Sequence, residues 1–395
     1  MSSDATTPVI LAARRTPIGR FLGGLSRVPS PELGAIAIEA ALADAGVPAD
    51  AIEEVFMGCV LQAGVGQNPA RQAALKAGIP ATVTAVTVNK VCGSGLESVM
   101  QAARAIKAGD ISTAVAGGME NMDRAPHFAW VRDGVKYGPT TMQDHMAFDG
   151  LTCAFENWPM GNAAEWIADA HTVSREEQDR FSAQSHNRAE AAWANGFFAS
   201  EVVTLSAEQC KAKAGVEHDE GFRAGSTPDA LAKLRPAFTK DGSVTAGNAS
   251  QISDGAAAVV VTSKAKAAEL GATPLATIVD YNTAGVPPKE LFFAPAVGID
   301  AMLKKNGLTV ADIDLFEINE AFAAQVLADI KHLGVPEEKL NVCGGGIALG
   351  HPIGASGARV LTTLVHQLKR TGGKRGIASL CLGGGNAVSM LVEMC

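Results

Sequence analysis

Among the seven cysteines of this 395-residue chain, Cys92 stands where a thiol could act as a nucleophile. It follows the apolar, β-rich run Val83 to Val91 and precedes Gly93-Ser94-Gly95 and a periodic helical stretch. A cysteine at a strand-to-helix turn lies at a helix N-terminus. The partial positive charge there is expected to stabilise a thiolate and lower the pKa from ~8.5 toward neutrality. The glycines let a substrate approach backbone amides that can hold an oxyanion. Taken alone, a cysteine in such a place is more often a small buried hydrophobe. Three further segments add chemistry. The run Asn341-Val-Cys-Gly344-Gly-Gly-Ile-Ala-Leu-Gly350-His351-Pro352-Ile-Gly354-Ala-Ser-Gly357 carries one histidine, and Pro352 restrains the backbone that holds it. His351 could take the Cys92 proton or donate to an oxyanion. Cys381-Leu-Gly-Gly-Gly-Asn-Ala387 sets a second thiol at the end of a buried strand, where it could move a proton on a substrate carbon or simply fill the core. Glu317-Ile-Asn319-Glu320-Ala-Phe322 joins an apolar strand to a helix, with Asn319 either functional or an ordinary N-cap.

These segments sit in two related halves. Ala40 to Val55 and Ala301 to Phe316 both read as a helix, a glycine stop (Gly46, Gly307), a loop and a strand. Each half then has a Gly/Ser turn opening a helix, Cys92-Gly-Ser-Gly in one and Gly354-Ala-Ser-Gly in the other. The helices end near Gly109 and Gly372, and an apolar strand with clustered glycines follows each. A repeat this long indicates duplication of a domain. Between the halves, residues 122–247 hold most of the aromatics and many charges, including the capping box Ser174-Arg-Glu-Glu177. This stretch reads as an insertion over the top of the first half, carrying binding function. The expected division is 1–121 with 248–270, the insertion 122–247, and 271–395.

Composition limits the partners. The formal net charge of −8 repels nucleic-acid phosphate, and no basic cluster overrides it. A phosphate-bearing substrate remains compatible, because backbone amides and a few Arg or Lys can hold it. An odd number of cysteines without a CxxC pair argues against a disulfide framework and a structural zinc. No signal sequence, membrane-spanning run or targeting tail is read, so the expected location is the cytoplasm, away from membranes. Forty-two glycines with only 5% aromatics favour close backbone packing in an α/β fold.

Together the four segments resemble the thiolases: Val88-Asn-Lys-Val-Cys92-Gly-Ser-Gly95, Asn319-Glu-Ala-Phe322, the glycine-rich run around His351, and Cys381-Leu-Gly-Gly-Gly385. They occur in that family's order, and the resemblance covers essentially the whole chain. It implies two duplicated α/β/α halves forming a five-layered αβαβα body with an inserted loop domain. It further implies a reversible Claisen condensation of two acetyl-CoA to acetoacetyl-CoA and free CoA. Cys92, activated by His351, would carry the acyl group, and Cys381 would deprotonate the second acetyl-CoA. One oxyanion hole would use His351 and a water held by Asn319, the other the N–H groups of Cys92 and Gly383. The resemblance carries over coenzyme A contacts to Arg223, Ala246, Ala249 and Ser250, and acyl-group neighbours to Met160 and Phe322. It calls for no metal and no resident cofactor, since coenzyme A thioesters are substrates. It also implies a homodimer or homotetramer, with His127 to Thr141 matching a segment that pairs dimers.

The chain departs from the family pattern at Pro159, before Met160-Gly161, and at Leu291-Phe-Phe-Ala-Pro295. Both lie near the expected acyl pocket and bear on chain length. Ala230 replaces a serine that often reaches the adenine. Gly93 leans toward the biosynthetic class. The alternatives are a degradative enzyme for longer 3-ketoacyl-CoA chains and a non-catalytic acyl-CoA-binding protein. A ketoacyl-carrier-protein synthase would have a second histidine where Cys381 stands.

Overall fold

The computed structural model describes residues 5–395. The first half runs β1 (Pro8–Arg15), β2 (Gly19–Arg20), α1 (Ser30–Ala45), β3 (Glu54–Gly58), α2 (Pro69–Lys76), β4 (Thr84–Val88), α3 (Ser94–Ala108) and β5 (Thr113–Asn121). The following stretch holds β6 (His127–Phe128), β7 (Gln143–Asp144), α4 (Met160–Ala170), α5 (Arg175–Ala194) and α6 (Pro228–Leu231). The chain returns through β8 (Ser253–Ser263) and α7 (Lys264–Glu269). The second half contains β9 (Ala276–Gly285), α8 (Ala294–Asn306), β10 (Leu315–Ile318), α9 (Ala323–Leu333), α10 (Gly346–Leu349), α11 (Ser356–Thr371), β11 (Arg375–Leu382) and β12 (Asn386–Met394).

The duplication is visible in the strand order. The first half is ordered β4-β3-β5-β8-β1 and the second β10-β11-β12-β9. In each, a parallel pair (β3 with β5, β10 with β11) is followed by two antiparallel ones. A lone parallel bridge from Phe316 to Leu340 stands where the first half has β4. β1 and β9 pair antiparallel through Val9–Thr277 and Ile10–Ala276, so the half-sheets share an edge. Both faces of each half-sheet are covered by apolar side chains, which is why β5 and β8 read as buried throughout. Leu33, Ile38 and Ala73 of α1 and α2 cover one outer face. Leu96, Val99, Leu361 and Leu364 of α3 and α11 fill the space between the half-sheets. Ile299, Met302, Val326 and Leu327 of α8 and α9 cover the other outer face. The result is the five-layered αβαβα body expected from the sequence.

The two central helices meet at their N-termini. A Cβ on Gly95 would strike Ala358 N, and one on Gly357 would strike Leu96 N. This reciprocal contact follows the internal two-fold. Bare backbone there lets the Cys92 turn and the His351 loop approach one another.

The sequence placed the insertion over the first half, and the structure seats it on both halves. Helices α4 and α5 bury Ala163, Ala164, Ile167 and Phe181 in the cluster built by α8, α9 and β10 of the second half. The tie to the first half is apolar as well as polar. Leu205, Cys210 and Val216 lie in the cluster of α1 and α2, and Met146 and Leu151 pack against Val60 and Leu61. Buried Arg15 of β1 bonds Glu201 at 2.7 Å and Asp219 at 2.7 and 3.0 Å. Breaking such a pair from one side leaves a buried charge, at a cost of about 3–5 kcal/mol.

Candidate active site

The turn that carries Cys92 is held against its preference. Val91 has φ 47°, in the left-handed region that a β-branched residue rarely enters. Ser94 compensates: its hydroxyl donates to Val91 O at 2.6 Å and accepts from Lys90 N at 2.8 Å. Gly93 packs against Leu382, so the turn sits directly beside the strand end bearing Cys381. Cys92 itself is partly exposed, through the cavity it lines.

The electrostatics differ from the sequence expectation. Burial pushes the Cys92 thiol up to about 11, with hydrogen bonds from the N–H groups of Gly383 and Cys92 opposing and the Glu120 charge adding to the rise. The expected drop toward neutrality does not occur, because desolvation outweighs the helix terminus. Cys381, 1% exposed, is pushed well above the ordinary thiol value by burial and then by Cys92. Both thiols are therefore protonated at rest near neutral pH.

His351 is buried at the start of the loop leading to α11. Its backbone N donates to Ser253 Oγ and to Gln251 O, both at 3.2 Å. The ring Nδ1 lies 2.6 Å from Ser356 Oγ, whose own hydrogen goes to Pro352 O at 2.9 Å. The hydroxyl is thus an acceptor toward the ring. Nδ1 carries the proton and Nε2 keeps its lone pair. Burial, and then the Arg359 cation, push the imidazole down to about 3, so it is neutral. Asn319, fully buried, sets its Nδ2 3.4 Å from His351 Nε2 and accepts from Arg359 Nη2 at 3.5 Å. It is no N-cap, since α9 begins four residues later behind Phe322. Its neighbour Glu320 accepts from Ser185 Oγ at 2.6 Å, Asn341 Nδ2 at 2.9 Å and Ile347 N at 3.2 Å, locking α5 to the His351 loop.

One cavity of 660 Å³ gathers these groups. Cys92, His351, Cys381 and Gly383 line it, as do Met160, Arg223, Ala246, Ala249, Ser250 and Phe322. Asn319 lies behind His351, outside the lining. The chain returning from the insertion meets the second half at this wall: Ser250 N donates to Ala321 O at 2.9 Å, and Ala249 bridges Phe322. Of the departing residues, Pro159, Leu291 and Phe292 line the cavity, whereas Phe293 stacks on His171 at 4.4 Å. Ala230 is not in the lining.

Sequence reasoning missed several wall residues. Phe322 is the centre of an aromatic chain, edge-on to Phe292 at 5.2 Å and to Phe238 at 6.3 Å. Phe238 rests on Gly161, where a Cβ would collide with its ring. Arg20 and Phe21 stand at the rim. Ser356 was within the quoted glycine-rich segment, and its match to Ser94 in the repeat was the available signal. Phe238, Arg20 and Arg359 gave none. Chemically, the site offers two thiols, a neutral imidazole with a free Nε2, and two amides aimed at one sulfur. That set suits acyl transfer.

A family model described as the thiolase N-terminal domain matches residues 8–265, and the thiolase C-terminal domain matches residues 272–394. The chain is 52% identical over 390 residues to an acetyl-CoA acetyltransferase of Cupriavidus necator, covering 98% of this chain and 99% of that one. It is 50% identical over 390 residues to a probable acetyl-CoA acyltransferase of Staphylococcus aureus, with 98% and 99% covered. The crystal structure of the Bacillus anthracis acetyl-CoA acetyltransferase superimposes with a TM-score of 0.95 at 42% identity, over 100% of both chains.

Proposed function

The chain belongs to the thiolase family, and from that premise we propose that it catalyses the reversible condensation of two acetyl-CoA to acetoacetyl-CoA and CoA. The observation that carries this reading is the meeting of Cys92, His351, Cys381 and Gly383 on one 660 Å³ cavity. Cys92 is the nucleophile. Because its thiol is protonated at rest, attack on the acetyl-CoA carbonyl is coupled to passage of its proton to His351 Nε2. Collapse of the tetrahedral intermediate releases the CoA thiolate, which takes the Cys381 proton and leaves as CoA, so that Cys381 becomes a thiolate while His351 keeps the Cys92 proton at Nε2. The thiolate of Cys381 then removes a proton from the α-carbon of the second acetyl-CoA. Its raised pKa makes it a strong base for that carbon acid. The resulting carbanion attacks the acetyl-Cys92 carbonyl, and Cys92 leaves as thiolate and takes its proton back from His351, which returns both thiols to their resting form. The N–H groups of Cys92 and Gly383 hold one developing oxyanion. His351 with Asn319 holds the other.

Arg223, Ala246, Ala249 and Ser250 contact coenzyme A, and Met160 and Phe322 the acyl group. In the division into two halves and the insertion 122–247, Met160, Arg223 and Ala246 belong to the insertion, Ala249 and Ser250 to the segment returning to the first half, and Phe322 to the second half. Coenzyme A enters and leaves as substrate. The working form is a homodimer or homotetramer, supported by Trp130, Val131 and Tyr137 lying exposed in the segment His127 to Thr141. The proposed location is the cytoplasm. Its supports are bacterial relatives and, among the described residues, no helix long and apolar enough to cross a membrane.

A second reading, cleavage of longer 3-ketoacyl-CoA chains, is favoured by one feature: the apolar wall of Leu291, Phe292, Phe322 and Phe238. Mixing with acetyl-CoA should leave an acetyl group on Cys92, detected by peptide mass spectrometry. No adduct would end the enzyme reading. Comparable kcat/KM for acetoacetyl-CoA and a medium-chain 3-ketoacyl-CoA would shift the conclusion to the second reading.

A further inference from the structure

The reaction as derived leaves one buried cation without a role. Arg359 lies in the first turn of α11 and is 1% exposed. Its Nη1 is 3.4 Å from Glu317 Oε2 and its Nη2 is 3.5 Å from Asn319 Oδ1, while its Nε has no partner among the described residues. Ser356, three residues earlier, receives the His351 ring. Residues three apart share a helix face. One turn of α11 therefore reaches both His351, through Ser356, and Asn319, through Arg359.

We propose that Arg359 is a positioning residue for the reaction: its guanidinium fixes the Asn319 amide with oxygen inward and nitrogen toward His351, and it places a buried positive charge beside the imidazole. An amide has no preferred sense of its own, and a cation can be met only by the oxygen. The NH2 is then the end left for His351 and the substrate side. The charge acts on a second property. A cation in a poorly screened interior disfavours a second one nearby. His351 consequently stays an uncharged acceptor at Nε2 and does not pair with a Cys92 thiolate at rest. The other groups facing His351 are Cys92, Asn319, Ser356 and Ser253, none of them a fixed charge. Those facing Arg359 are Glu317, Glu320, Glu201 and Arg15, which keep the cation embedded in a compensated cluster.

The inference rests on the thiolase reading, and its test separates the two. Arg359→Lys keeps the charge and loses the amide contact. The pair Glu317→Gln with Arg359→Met removes the charge without stranding a buried carboxylate. In Arg359→Lys, kcat should fall about 10- to 100-fold, less than loss of an oxyanion donor itself, with KM within about 2-fold. Its pH profile of Cys92 alkylation by iodoacetamide should follow the wild type. In the double variant kcat should fall as far, and alkylation should gain a limb at acid pH as the imidazole rises from about 3, with burial still holding it below its ordinary value. Wild-type kcat in Arg359→Lys overturns the proposal whether or not the double variant folds. A folded double variant with the wild-type alkylation profile overturns the electrostatic part. If wild-type protein takes no acetyl group on Cys92, the thiolase reading fails instead, and the alkylation profiles still report on Arg359.

Discussion

At the start of α3, Ser94 Oγ donates to Val91 O at 2.6 Å and accepts from the backbone N of Lys90 at 2.8 Å. At the start of α11, Ser356 Oγ donates to Pro352 O at 2.9 Å and accepts from the His351 ring at 2.6 Å. The two serines hold equivalent places in the repeat. The first reaches back three residues and is consumed in shaping the nucleophile's turn. The second reaches back four, across the proline, and has an acceptor site left for a side chain. The neighbouring glycines Gly95 and Gly357 make the same contact from opposite sides. Duplication thus supplied one scaffold twice, and a small difference in turn geometry let one copy present a thiol and the other orient a base.

The largest effects should separate the cysteines of the two halves. Cys92→Ala should lower kcat on the order of 10⁶-fold, as loss of an activated nucleophile does, and should still bind CoA. Cys381→Ala should keep acetylation of Cys92 within about 3-fold while abolishing condensation. Failure of Cys381→Ala to acetylate would break the division of labour between the halves. Next, Ser356→Ala should lower kcat about 10- to 100-fold by releasing the imidazole tautomer. Ser94→Ala should act mainly on stability, by about 1 kcal/mol in urea unfolding. Equal kinetic losses would show the two serines to be alike after all.

Gly95→Ala and Gly357→Ala should each destabilise by about 1–3 kcal/mol through overpacking, and by similar amounts. Thermal unfolding checks this, and a loss in only one of them would contradict the reciprocal contact. The remaining effect is one of pH and concerns Glu120, the first half's hold on the second. It accepts from Val60 N at 3.0 Å and Leu61 N at 3.2 Å in its own half, and from Gly354 N at 3.0 Å across the interface. Burial raises its carboxyl to about 7, while these N–H groups oppose the rise. The unfolded carboxyl loses its proton near its ordinary value of 4.5, so between the two values the folded state binds the extra proton. The Glu120 contribution to stability is therefore greatest at acid pH and falls as pH rises through about 7. Relative to Glu120→Gln, the wild type should lose unfolding free energy from about pH 5 to about pH 8 and be level above that. A rising difference would reverse the assignment.

Much of the fold was legible. Gly46, Gly109, Gly307 and Gly372 all end helices with positive φ, as read from a helix pattern stopped by glycine. The Ser174 capping box formed as expected. These are local features, set by residues a few positions apart. The seat of α4 and α5 on the second half was not legible, because the apolar face that receives them is assembled from α8, α9 and β10 far along the chain. In the site, the residue types at 92, 319, 351 and 381 could be picked out by their glycine and proline settings. Phe238, Arg20 and Arg359 lie in unremarkable sequence, and only chain folding brings them to the cavity or its supports.

By itself the sequence determined that two thiols, a histidine and an asparagine stand in glycine-bounded segments of a duplicated α/β chain, since residue type and short spacing are written along it. The tertiary structure alone decided their protonation and aim. A helix terminus suggested a thiolate at Cys92, but enclosure between two half-sheets made the thiol neutral. The free nitrogen of His351 is chosen by Ser356, and the sense of the Asn319 amide by Arg359. Desolvation and tautomer choice depend on what surrounds a group in space, and folding assembles those surroundings whatever the separation along the chain: Ser356 lies five residues from His351, Arg359 forty from Asn319, and Gly383 hundreds from Cys92.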